Sequence, residues 1–193
     1  MNHEEDTMSK LFRYGGIAAS IALIVFGIGA VATGFSGRDQ VRSNLAREQI
    51  VGTPDSSIPG QKVDTGAKAQ AFAKVMRKHT LEATGGQTYS QMGQFLDKAG
   101  KPTSDAKLAA IDPKTTKPVS NPARQIWVTE TALTTALNTA YFAESTALFA
   151  IVMGFALLLV GVGFLVLTLI ALRRPATAPE SRWSATQAAA TVG

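Results

Sequence analysis

Two uninterrupted apolar stretches stand near the two ends of this chain. Residues 14–35 and 147–172 carry no charged side chain. Crossing the ~30 Å hydrocarbon core of a bilayer takes about 20 helical residues, and both stretches are long enough. Between them the pattern turns mixed and amphipathic. The alternation predicts two transmembrane helices flanking a folded middle segment, residues 36–146.

Inside that segment the spacing of apolar positions predicts helices. Val41 and Leu45 extend the first span outward over 37–50, and Gly52-Thr53-Pro54 and Pro59-Gly60 mark an irregular loop. Over 67–83, Ala69, Phe72, Met76, His79 and Ala83 recur on one face of an amphipathic helix, which Gly85-Gly86 terminates. Tyr89, Met92 and Leu96 predict a second short helix over 89–99, stopped by Gly100 and Pro102. Residues 101–120, with Pro102, Pro113 and Pro118, read as a flexible, solvent-exposed loop.

Asn121-Pro122 is a helix start, an N-cap residue followed by proline at the first helical position. No proline follows until Pro175, so one continuous helix is expected through the second span. Ile126, Leu133, Leu137, Ala140 and Tyr141 would share its apolar face. The polar residues 1–9 and the Ala/Thr/Pro-rich residues 173–193 are expected to be disordered. The predicted fold class is an all-α membrane protein, with two transmembrane helices extended into a small helical extracytoplasmic domain and the two short helices packed on that stalk.

Basic residues near a span mark the cytoplasmic side. Lys10 and Arg13 precede the first span, and Arg173, Arg174 and Arg182 follow the second. Arg38, Arg42 and Arg47 stand opposite, so the bias is modest. It places both termini in the cytoplasm and the middle segment outside the plasma membrane. A rival reading of the first span is a secretory signal, with Ala30-Val31-Ala32 as the cleavage site. The apolar character runs on to Phe35, which favours an uncleaved anchor.

The spans are rich in small residues. Gly16 with Ser20 and Ala30 with Gly34 have the spacing that lets helices approach closely, against a partner or against this chain's own second span. The net charge of +5 is diffuse and lacks the concentrated basic stripe of a nucleic-acid footprint. There is no cysteine, which excludes disulfides, thiolate metal sites and thiol catalysis.

The residues offer little chemistry. His3 and His79 are the two histidines. His79 with Glu82 cannot complete a zinc site, which needs three or four protein ligands, so His79 is expected to be a core histidine bonded to a carboxylate or the backbone. Glu144 stands on the apolar stripe just before the second span and should be paired; Arg38 and Arg42 are the expected partners in an interfacial ion pair. Trp127 and Trp183 are single aromatics. No catalytic residue, metal site or cofactor is predicted.

The stretch Lys78-His79-Thr80-Leu81-Glu82-Ala83-Thr84-Gly85-Gly86-Gln87-Thr88-Tyr89 resembles the K-H-x-L-E-A-T-G-G-x-T-Y segment of small, uncharacterised two-span membrane proteins common in actinobacteria. The resemblance covers most of residues 10–172. Some members of that family carry an automatic label of aromatic ring-opening dioxygenase. Such iron oxygenases use two histidines and a carboxylate, and one plausible histidine is present here. The resemblance therefore implies a structural motif: His79 and Glu82 at a helix end, Gly85 and Gly86 in the turn, Tyr89 beginning the next element. The 101–120 stretch lengthens the loop beyond the family pattern.

Together these features predict a non-enzymatic membrane protein. It would be an accessory or scaffolding subunit of a membrane or cell-envelope complex, with the lipid bilayer, other membrane proteins or itself as partners. The alternative is an extracytoplasmic binding module for lipid or envelope polymer. A groove lined by Phe72, Met76 and Leu133 would favour the alternative.

Overall fold

The computed structural model describes residues 2–173, with side chains from Tyr14 to Ala171. The elements in order are α1 (Asn2–Arg47), α2 (Gly66–Ala83), β1 (Phe95–Leu96), β2 (Pro102–Thr103) and α3 (Pro122–Arg173). The chain is mostly helical. α1 and α3 each contain a stretch long and apolar enough to cross a membrane, with mean hydropathy 2.2 and 2.8. Only 11% and 17% of those stretches is buried, which is unlike the core helix of a soluble protein. α3 passes Ser145 and Gly154 without a break.

Contacts divide the chain into two units, Met1–Ile28 with Gly154–Gly193, and Gly29–Met153. In the first unit α1 and α3 lie antiparallel at glycine-mediated distance. A Cβ on Gly27 would fall 2.8 Å from the Gly154 carbonyl oxygen and 2.8 Å from Leu158 Cγ. Gly161 meets Ile24, and Gly16 meets Thr168 in the same way. Ser20 is fully buried, its hydroxyl donating to the Gly16 carbonyl at 2.7 Å. The Gly16–Ser20 spacing thus serves a seam between this chain's own helices. Phe26, Leu159 and Leu167 point away from that seam and are exposed.

The second unit, Gly29–Met153, holds the core. Leu45 of α1, Ala69, Phe72, Ala73 and Val75 of α2, Leu137 of α3 and Val63 from the preceding loop form one buried cluster. Val63 is brought in by a short turn, its N–H donating to the Ile50 carbonyl at 2.9 Å, with Val51 bridging Lys62. Gly34 packs on Ala147 and Ile151, continuing the antiparallel approach of α1 and α3 within this unit. Thr65 caps α2, its hydroxyl accepting from Lys68 N–H. The far end closes with Gly86 N–H on the Leu81 carbonyl and Gly85 N–H on the Glu82 carbonyl. That pattern needs a left-handed residue after the helix, and Gly85 supplies it at φ +62°.

Two expectations are corrected and two are refined. The chain is mostly helical, and to that it adds one small pair, β1 and β2, which run antiparallel with Phe95 opposite Thr103. No helix forms over 89–99. Gly93 lies against β2, where a Cβ would stand 2.5 Å from the Thr103 nitrogen, and Asn121 ties the Gly93 carbonyl at 2.9 Å. A helix of that length is too short to repay its own nucleation, and these tertiary bonds win. α2 is therefore the one short helix packed on α1 and α3 in this unit.

Residues 101–120 are largely exposed, as expected, and carry backbone hydrogen bonds of their own. Leu96 donates to Val119, Ala110 to Leu96 and Val119 to Ala110, all at 2.8–2.9 Å. Asp97, Asp105 and Asp112 each accept from backbone N–H groups two residues on, which fixes the turns locally. Last, α1 begins at Asn2, so the polar start of the chain is helical. The expected tail, with Arg174, Arg182 and Trp183, lies outside the described residues.

Candidate functional site

Glu144 lies three residues before the second apolar run, on α3, and gathers three elements. Its Oε1 accepts from Arg42 Nε at 2.6 Å and from Arg38 Nε at 3.1 Å, both on α1. Its Oε2 accepts from the N–H of Gly66, the first residue of α2. A helix N-terminus carries free N–H groups and a partial positive charge, so a carboxylate suits it. Glycine is needed at 66 because a Cβ would stand 2.8 Å from Tyr141 Cα. The Glu144 side chain is 12% exposed. Burial pushes its carboxyl up, but the Gly66 N–H, then Arg42 and Arg38, outweigh that and hold it below its ordinary value.

The motif segment is placed differently from expectation. His79 is about one-third exposed and outside the core. Its Nε2 lies 2.9 Å from Asp55 Oδ2, on the loop after α1, where Lys78 Nζ also binds at 3.0 Å. Lys78 foremost, then His79 and the Thr53 hydroxyl, hold the Asp55 carboxyl far below the usual carboxylate range. Glu82 is exposed and reaches only Lys78, at 3.8 Å. His79 and Glu82 therefore share no ligand or site.

The end of the motif docks on α3 through residues that sequence reasoning left aside. Trp127 is buried, and its Nε1 donates to the Gln87 carbonyl at 2.8 Å and lies 3.3 Å from the Thr84 hydroxyl. Arg77 covers the Trp127 ring at 5.1 Å. Arg124 stacks over Tyr89 at 3.9 Å, so Tyr89 is a lid on a cation and begins no helix.

A second acid emerges on α3. Glu130 is only 6% exposed. Its Oε2 has a long contact from the Thr131 hydroxyl, 3.4 Å, and among the described residues nothing donates to Oε1. Glu130 lines a 430 Å³ groove with Met76 and Thr80 of α2 and Ile126 and Leu133 of α3. The expected stripe placed Ile126 on the buried face, but Ile126 is 43% exposed. The buried positions are Trp127, Glu130, Leu137 and Ile151, with Glu144 in phase. A seven-residue period through Glu144 would have found Glu130; a contiguous apolar stripe could not include an acid. Phe72 belongs to the core and not to this groove.

No group of three or more metal-ligating side chains converges among the described residues. Comparison with protein-family models, curated proteins and solved structures finds no match to this chain.

Proposed function

We propose that this is a non-enzymatic, plasma-membrane protein that anchors a small domain as an accessory or scaffolding subunit. α1 and α3 would span the bilayer with both termini in the cytoplasm, and residues 36–146 would stand outside. One observation carries the reading: the Glu144 carboxylate joins α1, α2 and α3 where the apolar runs end. Three elements tied to one carboxylate give that domain a single internal arrangement, as a scaffold requires. The packing of Gly27 on Gly154 and Leu158 supports retention of the first span, since cleavage after Ala32 would discard half of that seam. The resemblance to small two-span membrane proteins points the same way.

Two experiments test the reading. The chain has no cysteine, so single replacements report topology directly. Ser104→Cys should react with an impermeant maleimide on whole cells, and Ser9→Cys should react only after lysis; the reverse pattern overturns the orientation. Cross-linking in native membranes followed by purification should then yield a stoichiometric membrane-protein partner. A protein that always purifies alone overturns the subunit reading. The groove beside Glu130 favours a second reading, an extracytoplasmic binding module.

A further inference from the structure

The groove and Glu130 together define a ligand chemistry. Its walls are largely apolar, supplied by Met76, Ile126 and Leu133, with Thr80, Gln125 and Thr129 as neutral polar groups among them. Its volume of 430 Å³ lies within the range of small-molecule sites, about 300–1,000 Å³. Its one acid is Glu130, a carboxyl group removed from water, with one oxygen lacking a donor among the described residues. A buried acceptor without a donor is costly, and a buried charge without a counter-charge more so. Arg77 of α2 and Arg124 of α3 are engaged elsewhere: Arg77 lies on Trp127, and Arg124 on Tyr89 and the Met92 carbonyl. An apolar residue would fill position 130 without that cost, as Leu137 does one heptad on.

We propose that this groove binds a small amphiphile carrying a protonated amine. The ammonium group donates to Glu130 Oε1, and the hydrocarbon part lies along Met76, Ile126 and Leu133. Only a ligand with both features satisfies the site: an alcohol brings no charge, and a fatty acid brings the wrong one. Charge-assisted bonds of this kind are shorter and stronger than neutral ones, and desolvation by the apolar walls strengthens them further. The site rests on the binding-module reading and is independent of the scaffold reading.

The test uses the full chain in phosphatidylcholine nanodiscs, with n-hexylammonium and its neutral counterpart n-hexanol as probes. The readout is the methyl resonance of Met76, assigned with Met76→Leu. Hexylammonium should shift it saturably and about tenfold more tightly than hexanol. Glu130→Gln keeps the side chain's shape and should abolish the preference for the amine. Leu133→Trp fills the groove with Glu130 intact and should abolish both shifts, so the test survives if Glu130→Gln misfolds. Equal binding of the two probes overturns the amine assignment and leaves an apolar groove. No shift with either probe overturns the site and the binding-module reading with it.

Discussion

Glu130 and Glu144 lie two heptads apart on one face of α3, and both are largely withdrawn from water. Glu144 has two guanidinium groups and a helix N-terminus around it. Glu130 has one oxygen without a donor among the described residues, and an apolar groove beside it. The same residue type, at the same helical phase, thus meets opposite surroundings. Where both carboxylate oxygens have donors, the structure is holding itself together. Where it leaves one open beside apolar walls, it is built to receive something.

The largest break in this contrast is Glu144→Ala. It leaves Arg38 and Arg42 facing each other and the Gly66 N–H without its acceptor, and should cost about 2–4 kcal/mol, discounted because the two arginines are 34% and 40% exposed. Trp127 fluorescence in a Trp183→Phe background would follow unfolding of the second unit. Adding Arg42→Ala should recover part of the loss, and strict additivity of the two changes would sink the clamp. Gly66→Ala comes next, at about 1–3 kcal/mol, because its methyl meets the α3 backbone. An unchanged melting curve would mean that the close approach is unimportant.

Acid should sharpen the contrast. The folded Glu144 carboxyl lies below its ordinary value of 4.5, so its contribution is complete above that pH and fades as pH falls toward the folded value. As pH falls below 4.5, wild-type protein should lose stability more steeply than Glu144→Gln, since the other carboxylates titrate in both. Parallel profiles would count against Glu144 as the source. The smallest effect should come from Glu130→Leu, within about 1 kcal/mol of wild type and of either sign, as for a buried polar group replaced by an apolar one. A loss as large as that of Glu144→Ala would show that Glu130 is structural after all.

The sequence announces the features that repeat or punctuate. Two charge-free runs give α1 and α3 their apolar stretches, and Asn121-Pro122 and Gly85-Gly86 mark helix ends. Glu144 could be read because an acid at the end of an apolar run needs a cation, and Arg38 and Arg42 are the bases that an antiparallel return brings near. Other features have no periodic signature. β1 and β2 are two residues each, and their pairing depends on the Gly93 contact with β2. Trp127 looks solitary until the chain folds back and sets the Gln87 carbonyl against it. Glu130 stayed hidden because a stripe drawn through Ile126 is turned away from the true buried line by a fraction of a helical step.

That line has a consequence for the length of α3. In the second unit Glu130, Leu137, Glu144 and Ile151 recur every seventh residue and lie on one face of α3. One residue inserted between Leu137 and Glu144 would change no side chain, yet would turn everything beyond it by about 100°. Glu144 would swing away from Arg42 and Gly66, while Glu130 kept its groove. Seven inserted residues would restore the direction and move the carboxylate about 10 Å along the axis. A substitution in this helix acts at one position, whereas an insertion or deletion keeps the contacts beyond it in phase only in steps of about seven residues.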